Sequence, residues 1–70
     1  PDEQPKFALG AYNAGQGNIL KCQKWTSAQG ADPMQWGNVV RGLLHVMGPA
    51  KAEETAGYVD RIVERERGYR

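Results

Sequence analysis

Cysteine and histidine are nearly absent from this sequence of 70 residues, which contains one of each, Cys22 and His45. A single cysteine cannot form an internal disulfide, and the two residues together cannot supply the four ligands of a structural zinc site. We therefore expect a fold without a covalent or metal crosslink, and we predict neither a metal nor another cofactor. Chains of this length bury only about 60% of their unfolded surface, so the core is expected to be thin.

Neither sign of charge predominates, because nine Lys and Arg residues are balanced by eight Asp and Glu residues. Nonspecific nucleic-acid binding depends on several clustered phosphate contacts, and no basic stripe is present. We therefore expect no nucleic-acid partner, and a helix-turn-helix DNA binder is disfavoured. The longest apolar run, residues 43–47, is interrupted by His45 and is far shorter than the roughly 20 residues of a membrane span. No membrane insertion by this segment is predicted.

The spacing of apolar residues predicts an all-α fold with about four helices, since no stretch alternates as a strand would. The first helix is predicted over residues 6–14, with Gly15 as its C-terminal cap. Asn18 is expected to cap a short second helix, and residues 26–31 are expected to form a loop.

Stronger signals mark the second half of the chain. Asp32 and Pro33 are typical of a helix start, and the apolar stripe that begins at Trp36 predicts a third helix. Gly48 and Pro49 exclude its continuation. The fourth helix is predicted from about residue 50 to residue 67, with apolar positions three and four residues apart and charges on the opposite side.

Two short clusters hold polar groups where a ligand could be bound. Tyr12 and Asn13 lie at the predicted end of the first helix, where an amide and a phenol could grip a ligand rich in hydroxyl or amide groups. Thr55 and Tyr58 lie one turn apart on the apolar face of the fourth helix. The structural alternative stays open for both clusters, because helix ends and buried faces often carry such residues for packing alone.

Residues 11–15, Ala-Tyr-Asn-Ala-Gly, resemble the Ala-Tyr-Asn-x-Gly motif of the lytic transglycosylases that share the lysozyme-like SLT fold. Further along the chain, residues 54–59, Glu-Thr-Ala-Gly-Tyr-Val, resemble the last motif of that family, Glu-Thr-x-x-Tyr-Val. The two motifs occur in the family's order, and the resemblance extends from about Phe7 to Tyr69. It implies that residues 1–70 form the C-terminal helical half of a single lysozyme-like domain.

The family's general acid is a glutamate in a Glu-Ser motif that precedes the Ala-Tyr-Asn segment, and no Glu-Ser pair occurs in this sequence. The resemblance therefore implies that no residue of this chain is the catalytic acid, and that the acid lies upstream in an N-terminal half. It implies substrate binding or active-site support by Tyr12, Asn13 and Tyr58. The residues that it implies for shaping the cleft are Gly15, Gly17, Glu54 and Thr55.

The activity that the resemblance implies is cleavage of the β-1,4 bond between N-acetylmuramic acid and N-acetylglucosamine in peptidoglycan, with formation of a 1,6-anhydro end. The implied partners are glycan strands and the N-terminal half of the same polypeptide. The implied location is extracytoplasmic, either in the periplasm or cell envelope or as part of a phage virion acting there. By itself the chain is expected to be inactive, since it would supply half a cleft and no acid.

Two alternatives remain open at this point. A goose-type lysozyme shares a similar Ala-Tyr-Asn-Ala-Gly stretch but hydrolyses the bond with water. A non-catalytic glycan-binding or virion structural module could have kept the fold after losing the acid. An upstream Glu-Ser motif would favour an enzyme over such a remnant.

Overall fold

The computed structural model describes residues 3–68, which form four α-helices and contain no strand within that range. The helices are α1 (Gln4–Ala14), α2 (Gln16–Ala28), α3 (Trp36–Met47) and α4 (Pro49–Gly68). The predicted all-α class is therefore confirmed. The ends of the predicted 1–70 unit, including Tyr69, lie outside the described residues.

Each helix packs against its neighbour in the chain, and α4 returns to pack against α1. The core between them is small, as expected for a chain of this length. Its buried apolar residues are Phe7, Ala14, Ile19, Cys22, Trp36, Val39, Leu43, Ala52 and Val59. Because α1 and α4 are brought together, the two polar clusters of the sequence come to lie at the same helix–helix contact.

A single residue, Gly15, separates α1 from α2. It adopts a φ of 96°, which residues with a β-carbon rarely do, and its N–H donates to the carbonyl of Ala11 at 2.8 Å. The predicted cap is thus confirmed. Asn18 differs from the prediction, because α2 begins at Gln16 and Asn18 lies inside its first turn. Its amide donates instead to the carbonyl of Ala14 at 2.9 Å and so covers the end of α1.

The second helix is longer than predicted and the third begins later. Residues 26–28, which were expected in a loop, complete the last turn of α2. Asp32 and Pro33 begin a turn and not a helix, since Asp32 Oδ1 accepts the N–H of Met34 at 2.9 Å. The local signal is the same for both outcomes, because an Asp side chain that accepts a nearby N–H favours turns as well as caps.

The first N–H of α3 is capped from outside the helix. Trp36 donates its backbone N–H to Glu3 Oε1 at 2.8 Å, and Lys6 Nζ lies 3.2 Å from Glu3 Oε2. These hydrogen bonds, that of Trp36 above all, lower the pKa of Glu3. A residue just before α1 therefore fixes the start of α3, which no local pattern in residues 32–36 could indicate.

The contact between α2 and α3 is apolar and close. Cys22 and Leu43 are fully buried there, and a β-carbon at Gly42 would lie 2.9 Å from the carbonyl oxygen of Cys22. Gly42 therefore sets how near the two helices approach. Burial raises the pKa of the Cys22 thiol, so this sulfur stays neutral in the core and is no nucleophile.

Only Gly48 separates α3 from α4. Gly48 has a φ of 87°, so the predicted break is confirmed, and α4 begins at Pro49, slightly before the predicted start at about residue 50. Thr55 and Val59 are fully buried on its inner face. None of the helices in residues 3–68 combines the length and the apolar character that crossing a bilayer requires.

Candidate functional site

The last turn of α1 and the middle of α4 carry the two sequence motifs and bring them into direct contact. Thr55 is fully buried on α4, and its hydroxyl donates to Asn13 Oδ1 at 2.7 Å. The bond joins residues 42 positions apart in the sequence. Asn13 itself is only partly buried, so the structure leaves part of its side chain accessible. The Asn13 amide is therefore held by Thr55 on its buried side and remains partly accessible to solvent.

Two tyrosines form the second contact between the motifs. The rings of Tyr12 and Tyr58 are stacked, with centroids 6.4 Å apart and planes inclined at 22°. Tyr12 is 83% exposed, whereas Tyr58 is partly buried against the core. Stacked pairs at this separation attract each other by about 0.5–1.5 kcal/mol beyond the area that they bury. Tyr58 therefore holds the ring of Tyr12 at the surface.

Glu54 precedes Thr55 and lies at the exposed edge of the same cluster. Lys51 Nζ is 2.8 Å from its Oε2, and this hydrogen bond and charge hold the pKa of Glu54 below its ordinary value. A general acid must keep its proton near neutral pH, which requires a raised pKa. Glu54 is thus unsuited to the acid role.

Lys51 is the residue of this cluster that the sequence analysis missed. Its spacing of three positions from Glu54 on a helix is the signal that could have identified the pair.

Gly15 and Gly17 lie beside the cluster but in different settings. Gly15 turns the chain between α1 and α2 immediately after the Asn13 segment. Gly17 lies in the first turn of α2, is exposed, and would have open space around a β-carbon. The conformation of the chain therefore requires a glycine at the first position and not at the second.

Other residues that could have contacted a sugar lie elsewhere. Trp36 is buried in the core, as expected, and Trp25 stacks on the exposed ring of His45 with centroids 5.1 Å apart. A groove of about 620 Å³ runs between α1 and α2 and is lined mainly by apolar residues, including Leu20 and Met34. Ala11 of the first motif lines this groove, whereas the polar residues Tyr12, Asn13, Thr55 and Tyr58 do not.

The site is an exposed aromatic face beside an anchored amide, which suits a ligand that is rich in hydroxyl and amide groups. Within residues 3–68, no group of three or more His, Cys, Asp or Glu side chains could hold a metal ion.

Comparison with known proteins finds relatives that are named lytic murein transglycosylases. Membrane-bound lytic murein transglycosylase F of Vibrio cholerae serotype O1 is 33% identical over 66 residues, covering 80% of this chain and 12% of the relative. The protein of that name from Pasteurella multocida is 43% identical over 42 residues, covering 60% of this chain and 8% of the relative. The chain thus spans 12% or less of the length of these relatives.

No family model matches the chain, and no solved structure matches it. The sequence similarity to the curated relatives supports a relationship to the lytic transglycosylases.

Proposed function

We propose that these 70 residues form the C-terminal half of a lytic transglycosylase domain that cleaves the β-1,4 bond between N-acetylmuramic acid and N-acetylglucosamine. The observation that carries the proposal is the direct contact between the two motifs, through the hydrogen bond from Thr55 to Asn13 and the stacking of Tyr12 on Tyr58. Packing alone requires neither an exposed tyrosine nor a partly open amide at this contact. Both suit a sugar cleft, because an aromatic face can pack on a sugar ring and an amide can hydrogen-bond its polar groups.

In this proposal the catalytic acid is a glutamate from the preceding half of the domain. Its carboxyl group donates a proton to the glycosidic oxygen as the bond to the anomeric carbon breaks. The resulting carboxylate then takes the proton of the muramic acid 6-hydroxyl, whose oxygen attacks the anomeric carbon and closes the 1,6-anhydro ring. One carboxyl group thus serves as acid and then as base, whereas most glycosidases use two.

The residues of this chain bind and orient the substrate. Asn13 hydrogen-bonds the sugar, Tyr12 supplies an apolar face for a ring, and Tyr58 supports Tyr12 and offers its hydroxyl towards the cleft. Gly15, Gly17, Glu54 and Thr55 shape the wall around them. Misplacing such groups by about 1 Å costs roughly 100-fold in rate, so residues without a proton-transfer role still decide turnover.

A preceding half of the same domain is the second partner in the proposal. Leu20, Met34 and Leu44 are each more than half exposed. These side chains are available to pack against the preceding residues of the same polypeptide. Because the proposed substrate is peptidoglycan, the proposed location is extracytoplasmic, in the cell envelope or on a phage virion that acts there.

The test is mass spectrometry of the glycan fragments that the full polypeptide containing these residues releases from purified peptidoglycan. We expect products lighter by one water than reducing fragments, because the 6-hydroxyl replaces water as the nucleophile. Ordinary reducing ends would instead identify a goose-type lysozyme. No release by the full polypeptide would leave a non-catalytic glycan-binding or virion structural module as the function.

The isolated 70 residues are expected to be inactive in the same assay, since they contribute half of the cleft and no acid. Turnover by the fragment alone, abolished by Tyr58→Phe, would contradict the division of the site between two halves.

A further inference from the structure

The hydrogen bond between Thr55 and Asn13 has a direction, and the direction decides which end of the Asn13 amide is free. A threonine hydroxyl has one hydrogen to donate, and here it donates to Oδ1. Thr55 is 0% exposed, so its hydroxyl is shielded from water and depends on this partner. The oxygen end of the amide is therefore occupied from inside the fold.

The nitrogen end of the amide is the end that Thr55 does not occupy. Because Thr55 holds Oδ1, the amide nitrogen, which carries two hydrogens, is the end that remains to donate. Asn13 is only partly buried, so this nitrogen can donate to a ligand.

We propose that Thr55 is a positioning residue that locks the Asn13 amide with its nitrogen towards the ligand, so that Asn13 recognises an acceptor oxygen on the glycan. The carbonyl oxygen of an acetamido group is an acceptor of this kind and is present on both sugars of the strand. This inference rests on the proposed function, because it identifies the substrate atom that the same site contacts.

A second buried threonine shows that burial alone does not imply such a role. Thr26 on α2 is 1% exposed, and its hydroxyl donates to the carbonyl of Cys22 in the same helix at 2.8 Å. That bond satisfies the hydroxyl locally and orients no other side chain. Thr26 is therefore a matched control for Thr55, with similar burial and a hydrogen bond of similar length.

The experiment measures kcat and KM of the full polypeptide on soluble glycan chains for Thr55→Val, Thr55→Ser and Thr26→Val. Valine keeps the shape of threonine and removes the hydroxyl. We expect Thr55→Val to lower kcat by about tenfold to 100-fold with a smaller change in KM. Serine restores the hydroxyl and should recover most of the rate, and Thr26→Val should keep the kcat of the wild type.

A double-mutant cycle separates positioning from a general loss of stability. If Thr55 acts through Asn13, then Asn13→Ala combined with Thr55→Val should be no slower than Asn13→Ala alone. Asn13→Asp keeps an acceptor for Thr55 but loses the donor, and it should be as slow as Asn13→Ala. Additive losses in the cycle, or full activity of Asn13→Asp, would overturn the proposal. So would a kcat of Thr55→Val within twofold of the wild type.

NMR spectroscopy tests whether Thr55 holds the Asn13 amide, and it requires no turnover. The chemical shifts of Asn13 Cγ and Nδ2 in the full polypeptide should change in Thr55→Val and stay unchanged in Thr26→Val. If neither variant moves them, the amide is not held by Thr55 and the inference fails. If the shifts respond as expected but the wild type releases no glycan, the contact between Thr55 and Asn13 is confirmed and the proposed function is wrong.

Discussion

The α2 and α4 helices each bury one threonine, and the two hydroxyls are used in different ways. Thr26 bonds to the backbone of its own helix, whereas Thr55 reaches a side chain of α1 that is 42 residues away in the sequence. The first arrangement would satisfy the hydroxyl next to any neighbouring helix. The hydrogen bond of Thr55 forms only when α1 and α4 pack together in one particular alignment.

The two helix–helix contacts differ in the same way. Between α2 and α3 the packing is apolar and tight, with Gly42 against Cys22. Between α1 and α4 the contact carries an amide and two tyrosines and opens to solvent. The comparison indicates that α2 and α3 mainly stabilise the fold, and that the candidate site is built by α1 and α4. Substitutions in the two regions should therefore affect different measurements.

The largest expected effect distinguishes Asn13, at the end of α1, from Asn18, at the start of α2. If Asn13 orients the substrate as proposed, Asn13→Ala should lower turnover of the full polypeptide by about 100-fold. The fold should persist at a cost of about 1–3 kcal/mol of stability, because the buried hydroxyl of Thr55 loses its partner. Asn18→Ala removes the bond to the carbonyl of Ala14, which should cost about 1 kcal/mol of stability and leave turnover unchanged. Steady-state kinetics and chemical denaturation measure both. Turnover of Asn13→Ala within a few-fold of the wild type would place Asn13 outside the ligand site.

The next effect concerns stability and the α2–α3 contact. Gly42→Ala puts a β-carbon 2.9 Å from the carbonyl oxygen of Cys22, and the overpacking should cost about 1–3 kcal/mol. Gly37→Ala lies on the same helix, where nothing would approach the new β-carbon within 4 Å. It should stabilise the fold by up to about 1 kcal/mol through helix propensity. Equal denaturation midpoints for the two variants would show that α2 and α3 are not closely packed at Gly42.

The smallest effect is the pH dependence of the cap on α3. The pKa of Glu3 is lowered in the folded state, mainly by the N–H of Trp36, so its charge stabilises the fold at neutral pH. That contribution is complete above the ordinary pKa of 4.5 and is lost as the pH falls through the lowered value.

Glu3→Gln still offers an oxygen to Trp36 but carries no charge. It should be less stable than the wild type by about 1 kcal/mol at pH 7, and the difference should shrink as the pH falls below 4.5. Urea denaturation at several pH values measures it. A difference that stays constant down to pH 3 would show that the charge of Glu3 contributes nothing.

Local sequence signals predicted most of the fold. The apolar spacing in α4, the cap at Gly15 and the break at Gly48 and Pro49 act over one or two helical turns, and the structure agrees with all of them. The start of α3 was predicted wrongly at Asp32 and Pro33, because an aspartate that accepts a nearby N–H supports a turn as well as a helix.

The composition of the candidate site was also predictable, since the two motifs name Tyr12, Asn13, Thr55 and Tyr58. That these residues touch was not predictable from either motif. A hydrogen bond of 2.7 Å or a ring stack depends on the relative placement of two helices, and propensity and periodicity carry no information on that placement.

The sequence by itself determined the four helices and the breaks at Gly15 and at Gly48 and Pro49, because these depend on neighbours within a few positions. Only the tertiary structure decided that Glu3 caps α3 and that Thr55 holds Asn13. Both contacts join residues more than 30 positions apart, and each is made only when burial of the shared core brings the helices together. The hydrogen bond that holds the Asn13 amide follows from that packing.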